Sequence, residues 1–375
     1  MTPGPHGFSA LTGCRIVIAA DRRSSELQAA LERHGATVER APALTILSHV
    51  DDQALLATTR ALIAAPPDIV IATTGVGFRG WIEAAHEAGI ADDLLAALAG
   101  ARILARGPKA RGAVLQAGLE TDWVAGSETA REVGDHLRRE DLTGLLIAVQ
   151  HHGSGSDGLD EQLTAAGADV ASLTVYRWGP PEDPDLVARS VRSGAAGAVD
   201  AVLFTSAPGA SAWLDAAASA GELDRIRELA LRGRLLMAAV GPITAGPLEA
   251  AGLPCLIAQR GRLGSLVRGV VAHFGDTEGG LPTPRGRLAL RSAGAVLGGE
   301  FVPLSPATSA MLDALAAAGG SVVPRAALLG ALPGSRQSTH AVEMAIARLR
   351  EALGHPDLVA TVVKRGYRLT VSEES

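Results

Sequence analysis

The chain has 375 residues, 47% of them hydrophobic and only 3% aromatic, which exceeds one ordinary core and excludes disorder, so two or three domains are expected. Its two cysteines, Cys14 and Cys255, lie too far apart in sequence for a disulfide framework or a metal-ligand spacing, and fit a reducing cytoplasm. The opening MTPGPHGFSA lacks a signal-peptide pattern, and no run reaches the roughly 18 apolar residues of a membrane span, so a soluble cytoplasmic protein without membrane partners is expected. The net charge of −6 is uneven: residues 1–279 carry 24 Lys and Arg against 33 Asp and Glu, whereas 280–375 carry 10 against 7. A basic tail on an acidic body points to a separate domain with a polyanionic partner.

RIVIAA (15–20) leads into SSELQAALERHGA, where Ser24 or Ser25 is expected to cap a helix and Gly35 to end it. Asp51 and Asp52 open the helical stretch DDQALLATTRALIAA; a phospho-acceptor pair would instead follow a buried strand directly, so they read as helix-capping residues. DIVIATT (68–74) leads into GWIEAAHEAG, and GLLIAVQ (144–150) leads through a Gly/Ser turn into LDEQLTAAGA. DAVLFTS (200–206) leads into SAWLDAAASAG, and RLLMAAVG (234–241) into a helix ending near Gly252. This alternation implies parallel sheets covered by helices on both faces. GDTEGGLPTPRGR (275–287), rich in Gly and Pro, reads as an interdomain linker.

An internal repeat sharpens the picture. IVIATTGVGFRGWIEAAHEAG (69–89) lies ungapped on AVLFTSAPGASAWLDAAASAG (201–221), bringing Trp81 onto Trp213 and Thr73-Thr74 onto Thr205-Ser206. GPKARGAVLQAGL (107–119) lies on GPITAGPLEAAGL (241–253) in the same order. Two similar α/β lobes are expected, binding ligand between them at the carboxyl ends of their strands.

Thr73, Thr74 and Gly75, with Thr205, Ser206 and Ala207, end strands and open helices, where hydroxyls and free backbone N–H groups suit a carboxylate or phosphate. The same residues also serve as plain helix caps. Gly241 and Thr244 occupy the corresponding turn of the second Gly-Pro segment. Arg106, Lys109 and Arg111 flank the first Gly-Pro turn, opposite uncharged Val240, Ile243 and Ala245 in the second, and form a one-sided basic cluster for an anionic ligand or a solvated surface. In QHHGSGSDG (150–158), His151 and His152 point in different directions along an extended chain, so a flexible polar loop is expected, and no metal.

The strand–hydroxyl–helix repeats, HGATVERAPAL, GADVASLTVYR and GPITAGPLEAAGL fall in an order that resembles uroporphyrinogen-III synthase over about residues 14–274. The resemblance implies two doubly wound lobes joined by two crossing segments, with the first strand and helix returning to the lobe built after about residue 176. It implies cyclisation of the linear hydroxymethylbilane with loss of water, without a cofactor, and the substrate carboxylates held largely by backbone amides. Tyr176 matches the family's site tyrosine; the alternative is a tyrosine packed at a lobe hinge. Two departures stand out: His151-His152-Gly153 where the family often has Arg-Gly, and Thr73-Thr74-Gly75 where Thr-Ser with a nearby Asn is usual.

In the C-terminal region, LAL, AVL and FVPL read as short strands, followed by a helix from about Pro306 with Met311, Leu312 and Leu315 on one face. A second helix begins near Pro324 and a third spans about Thr339 to Leu353, with Val342, Ile346, Leu349 and Leu353 at helical spacing and Gly354 as its stop. LVATVVKRGYRL reads as a hairpin turning at Lys364-Arg365-Gly366. VEMAIARLREAL followed by RGYRL resembles the winged-helix DNA-binding domain of OmpR-type response regulators, apart from Thr308, where an acidic residue is common. The resemblance implies a double-stranded promoter DNA partner. Arg348 would reach base edges or phosphates; Arg336, Ser338, Thr339 and His340 would grip backbone; Lys364, Arg365 and Arg368 would neutralise phosphates from the wing. Tyr367 is expected to anchor the wing in the core, and Arg350 either to join the DNA-facing basic set or equally to pair with Glu343 or Glu351 on the surface.

The expected architecture is an α/β two-lobed synthase-like domain over residues 1–274, a linker over 275–287 and an α+β winged helix-turn-helix domain over 288–375. Lobe 1 comprises about 14–41 and 176–274, and lobe 2 about 42–172. The expected function is transcription regulation with a tetrapyrrole or other anionic small molecule as ligand and a co-regulator as a further candidate partner. The pairing is similar to actinobacterial regulators of nitrate/nitrite assimilation. The alternative is an active uroporphyrinogen-III synthase carrying a regulatory appendage.

Overall fold

The computed structural model describes residues 9–21, 23–48, 53–151, 158–259, 262–276, 279–332 and 338–372. Asp51, Asp52, His152, Gly153 and Arg336 lie outside them. The chain divides into two compact units, Thr45–Pro180 and the remainder (Met1–Leu44 with Pro181–Ser375).

The second unit starts with β1 (Arg15–Ile18), α1 (Ser24–Glu32) and β2 (Thr37–Arg40). Neither expected serine caps α1. Its N-cap is Arg23, in a left-handed conformation with no side-chain cap bond, and Ser24 is already helical, its hydroxyl donating to the Asp21 carbonyl at 2.8 Å. Helical hydrogen bonding gives out at Glu32, and Gly35 (φ 92°) turns the chain toward β2.

Thr45–Pro180 forms lobe 2. It contains β3 (Thr45–Ser48), α2 (Gln53–Ala64), β4 (Ile69–Ala72), α3 (Gly75–Glu87), α4 (Ala91–Ala99), β5 (Arg102–Ala105), α5 (Pro108–Gln116), β6 (Trp123–Val124), α6 (Ala130–Leu137), β7 (Leu146–His151), α7 (Leu159–Ala165), β8 (Asp169–Thr174) and β9 (Tyr176–Gly179). β3 and β9 pair antiparallel as a separate ribbon, while β6-β5-β4-β7-β8 form one parallel sheet. All four residues of β4 are buried, as parallel strands covered on both faces require.

Lobe 1 resumes with α8 (Pro184–Ala195), β10 (Ala201–Phe204), α9 (Ala207–Ser219), α10 (Leu223–Leu231), β11 (Leu236–Ala239), α11 (Pro242–Ala250), β12 (Cys255–Ile257) and α12 (Leu263–Gly275). Its parallel sheet runs β12-β11-β10-β1-β2. The repeat is therefore structural: β4-α3-α4-β5-α5-β6 corresponds element by element to β10-α9-α10-β11-α11-β12. The places that β7 and β8 fill in lobe 2 are filled in lobe 1 by β1 and β2, with Ile16 registered on Ala201. Trp81 and Trp213 are fully buried in their respective cores.

The C-terminal region opens with β13 (Leu281–Thr283), inside the stretch expected as linker. It continues through β14 (Gly286–Arg291), β15 (Gly294–Leu297) and β16 (Glu300–Pro303), a four-stranded antiparallel sheet. α13 (Pro306–Ala317), α14 (Arg325–Ala331) and α15 (Thr339–Leu353) follow, then a short 3-10 turn and the hairpin β17 (Val359–Val362) and β18 (Gly366–Leu369). Met311, Leu312, Leu315, Leu328, Val342, Ile346, Leu349 and Tyr367 close its core. Ser305 caps α13, and Gly354, at φ 67°, ends α15.

Candidate functional site

In lobe 2 the strand order reverses direction between β4 and β7, and ligands of doubly wound sheets bind beyond the carboxyl ends of such a pair. Thr73 and Thr74 end β4 there, but they do different work. Thr73 is buried and its hydroxyl donates to the Gln150 carbonyl at 2.6 Å, tying β4 to β7. Thr74 is the N-cap of α3, its Oγ1 accepting from Gly77 N at 3.0 Å. Gln150, fully buried, accepts from Thr74 N through Oε1 at 3.2 Å and donates through its amide to the His151 carbonyl. Sequence reasoning does not find Gln150, because its importance rests on a contact 76 residues away.

Gly75 lets two helix starts approach. A Cβ there would sit 2.3 Å from the Lys109 carbonyl oxygen and 3.5 Å from Arg79 Nη1. The N-termini of α3 and α5 thus meet, with Lys109 and Arg111 exposed on the first turns of α5 and Arg106 half-buried at the end of β5. Two positive helix ends, with Arg79 one turn inside, suit an anionic group.

In lobe 1 the same turn is uncharged. Ser206 caps α9, accepting from Gly209 N at 3.2 Å, and Thr205 and Ala207 beside it are half-buried. Gly241 is the N-cap of α11, and Thr244 is buried in its first turn. Ile243, the counterpart of Lys109, is 56% exposed. Hydroxyl-capped helix ends therefore recur in both lobes, but the cations belong to lobe 2 alone.

Tyr176 is buried on the β3–β9 ribbon, its ring edge-on to Trp178 at 5.9 Å. His151 is not a loop residue: it closes β7, is buried, and bonds Asp160 Oδ2 through Nε2 at 2.8 Å. The Ser172 hydroxyl donates to the same carboxylate oxygen.

In the C-terminal domain, Ser338 caps α15, accepting from Ala341 N at 3.2 Å. Val342, Ala345, Ile346, Leu349 and Leu353 form the buried stripe, which turns His340, Met344, Ala347 and Arg348 outward together. Thr339 is exposed beside the cap. Across the β17–β18 turn, Lys364 adopts φ 61°, and Lys364, Arg365 and Arg368 are all exposed. A helix with an exposed outer face and a cationic hairpin next to it are what a major groove and its flanking phosphates accept.

Arg350 does not pair with Glu343 or Glu351. Its guanidinium donates from Nε to the Val359 carbonyl at 2.8 Å and from Nη2 to Thr361 Oγ1 at 2.8 Å, binding α15 to the hairpin. Tyr367 is buried as expected, with the guanidinium groups of Arg325 and Arg350 at 5.2 and 5.8 Å from its ring centre. The acidic residue common at position 308 is replaced by a buried threonine, whose hydroxyl donates to the Ser305 carbonyl at 2.9 Å.

Comparison with known proteins assigns these two halves. Residues 25–268 match the family "Uroporphyrinogen-III synthase HemD", and residues 299–369 match "Transcriptional regulatory protein, C terminal". The Bacillus subtilis protein YjjA is 28% identical over 269 residues, covering 72% of this chain and 98% of its own. A mutant uroporphyrinogen III synthase from the extremely thermophilic bacterium Thermus thermophilus superposes with a TM-score of 0.58 at 30% identity, covering 69% of this chain and 98% of its own. No described helix is long and apolar enough to cross a membrane.

Proposed function

The chain belongs to the uroporphyrinogen-III synthase family and ends in a DNA-binding domain of the transcriptional-regulator type, and on that premise we propose that it is a transcription regulator of the cytoplasm whose synthase-type lobes bind an anionic small molecule. The observation that carries this reading is the union in one chain of the two family matches with an exposed outer face on α15. For the ligand, the paired N-termini of α3 and α5 with Lys109 and Arg79 favour carboxylates, such as those of a tetrapyrrole. Regulation of nitrate or nitrite assimilation is the process this domain pairing suggests, with a co-regulator as a further partner. Thr74, Gly75, Arg106, Thr205, Ser206, Ala207, Gly241 and Thr244 are the ligand-binding candidates, and Ser338, Thr339, His340, Arg348, Lys364, Arg365 and Arg368 the DNA-binding ones.

The test is DNA binding by the purified full-length protein to fragments upstream of its own and neighbouring genes. Salt-sensitive preference for one fragment is expected; equal, weak binding to all of them at every salt concentration refutes the reading.

Tyr176 and the hydroxyl caps at Thr74 and Ser206 favour a second reading, an active synthase. Incubation with freshly prepared hydroxymethylbilane decides it. Uroporphyrinogen III as the main product supports catalysis, and the spontaneously closed isomer I alone dismisses it.

A further inference from the structure

The segment between lobe 1 and the DNA-binding domain is short, but the two are also joined elsewhere. The last residue of β14 and the turn after it, Arg291-Ser292-Ala293, meet the amino ends of β1 and β10. Ser292 N donates to Asp200 Oδ1 at 2.8 Å, and the Ser292 hydroxyl donates to Asp200 Oδ2. Arg15 N donates to that same Oδ2 at 2.7 Å, so Asp200 gathers backbone from β1 and a side chain from the DNA-binding domain. Asp200 is 2% exposed.

Arg291, 3% exposed, donates from Nη1 to the Thr12 carbonyl and from Nη2 to the Phe274 carbonyl at 2.8 Å. Phe274 lies in the last turn of α12, where carbonyls lack helical partners and the helix end is negative. The buried guanidinium therefore satisfies the end of the helix that leads out of lobe 1. Ala293 N donates to the Gly13 carbonyl at 3.1 Å, and the Phe301 ring packs so closely on Gly13 that a Cβ there would lie 2.1 Å from it. Farther along the contact, Arg234 Nε meets Asp313 Oδ1 of α13 at 3.1 Å.

A buried carboxylate and a buried guanidinium, each with its partners in place, are costly to separate, because parting them leaves both desolvated or rehydrates the whole joint. We propose that Asp200, Arg291 and Ser292 are positioning residues that lock lobe 1 and the DNA-binding domain into one body, and so fix the direction in which α15 and the β17–β18 hairpin are presented. The proposal deepens the regulator reading by naming the path to the DNA-binding domain. Asp200 and Ser206 stand at opposite ends of β10, six residues and so about 20 Å apart. The hydroxyl-capped start of α9 and the joint thus flank the same buried strand.

The experiment is a pulsed electron–electron distance measurement on full-length protein without DNA. Spin labels are placed through Arg225→Cys on α10 and Glu351→Cys on α15, both exposed, in a Cys255→Ala background with the buried Cys14 retained. One narrow distance is expected. Arg291→Met with Asp200→Asn, which removes both buried charges together, is expected to broaden it at least twofold while circular dichroism is unchanged. If that pair does not fold, Ser292→Ala with Arg234→Ala replaces it under the same criterion. A broad distribution in the parent, or a width unchanged in the folded variant, overturns the proposal. Because no DNA is present, either result is independent of whether the protein binds a promoter.

Discussion

The indole nitrogen of Trp213 donates to the hydroxyl of Ser190 at 3.0 Å, and that hydroxyl in turn donates to the Val187 carbonyl at 2.7 Å. Lobe 2 repeats the arrangement with other residues: Trp81 Nε1 donates to Thr59 Oγ1 at 2.9 Å, and Thr59 to the Leu55 carbonyl at 2.7 Å. Each tryptophan is pinned to the helix before its own strand, α8 in one lobe and α2 in the other. The repeat thus reaches into helices whose sequences do not align by eye.

Ser190→Ala leaves a buried indole N–H without its acceptor and is expected to cost about 1–3 kcal/mol of stability. Ser190→Thr, which copies the lobe 2 solution, is expected to keep most of it. Urea unfolding followed by tryptophan fluorescence measures both. Equal losses in the two variants would show that the hydroxyl is not what holds Trp213.

Arg348 and Arg350 are two residues apart and are expected to fail differently. Arg348→Ala should weaken binding to a specific duplex by about 1–3 kcal/mol and leave unfolding within roughly 0.5 kcal/mol of the parent. Arg350→Ala removes charge-assisted bonds to Val359 and Thr361 and should lower stability by about 1.5–3 kcal/mol. Fluorescence anisotropy and thermal unfolding on the same preparations separate the two effects.

Replacing Lys364 and Arg365 together by alanine should weaken binding to every sequence alike. If each neutralises one phosphate, the slope of log K against log salt should become shallower by about 1.8. A salt titration reads this directly, and an unchanged slope places the wing away from the backbone.

Gly366 lies at φ 142°, and a Cβ there would come within 2.0 Å of the Val323 carbonyl oxygen. That carbonyl accepts from Tyr367 N at 3.1 Å and cannot retreat without losing the bridge. Gly366→Ala is expected to cost about 2 kcal/mol or more, measured by denaturant unfolding.

Burial, with Asp200 nearby, pushes the Cys14 thiol up to about 12, and the residue is 1% exposed. Its thiolate fraction at pH 8 is therefore on the order of one in ten thousand. Alkylation of native protein at pH 8 should leave Cys14 unmodified in a mass-spectrometric map, with modification appearing in denaturant.

The helices and strands of the DNA-binding domain are legible in the sequence because their signals are local. A stripe at Val342, Ile346 and Leu349, a glycine at 354 and a cationic turn at 364–366 each act within a few residues. Ser24 misleads because Arg23 takes the left-handed N-cap conformation, a choice that sequence does not print. Arg350 misleads because acidic neighbours on its own helix compete with a carbonyl on another element, and the carbonyl, fixed in place by β17, wins.

Periodicity and repetition determined that there would be two α/β lobes and a separate C-terminal domain of three helices and a hairpin, since burial of alternating or helical stripes is a property of short segments; the resemblance of VEMAIARLREAL and RGYRL to OmpR-type domains made that domain a winged helix. Tertiary structure decided that Thr73 donates to the Gln150 carbonyl, that Asp200 accepts from Ser292, and that Arg291 reaches the Thr12 carbonyl. These facts join residues dozens to hundreds of positions apart, and hydrogen bonding is a matter of distance in space, which no stretch of sequence encodes by itself.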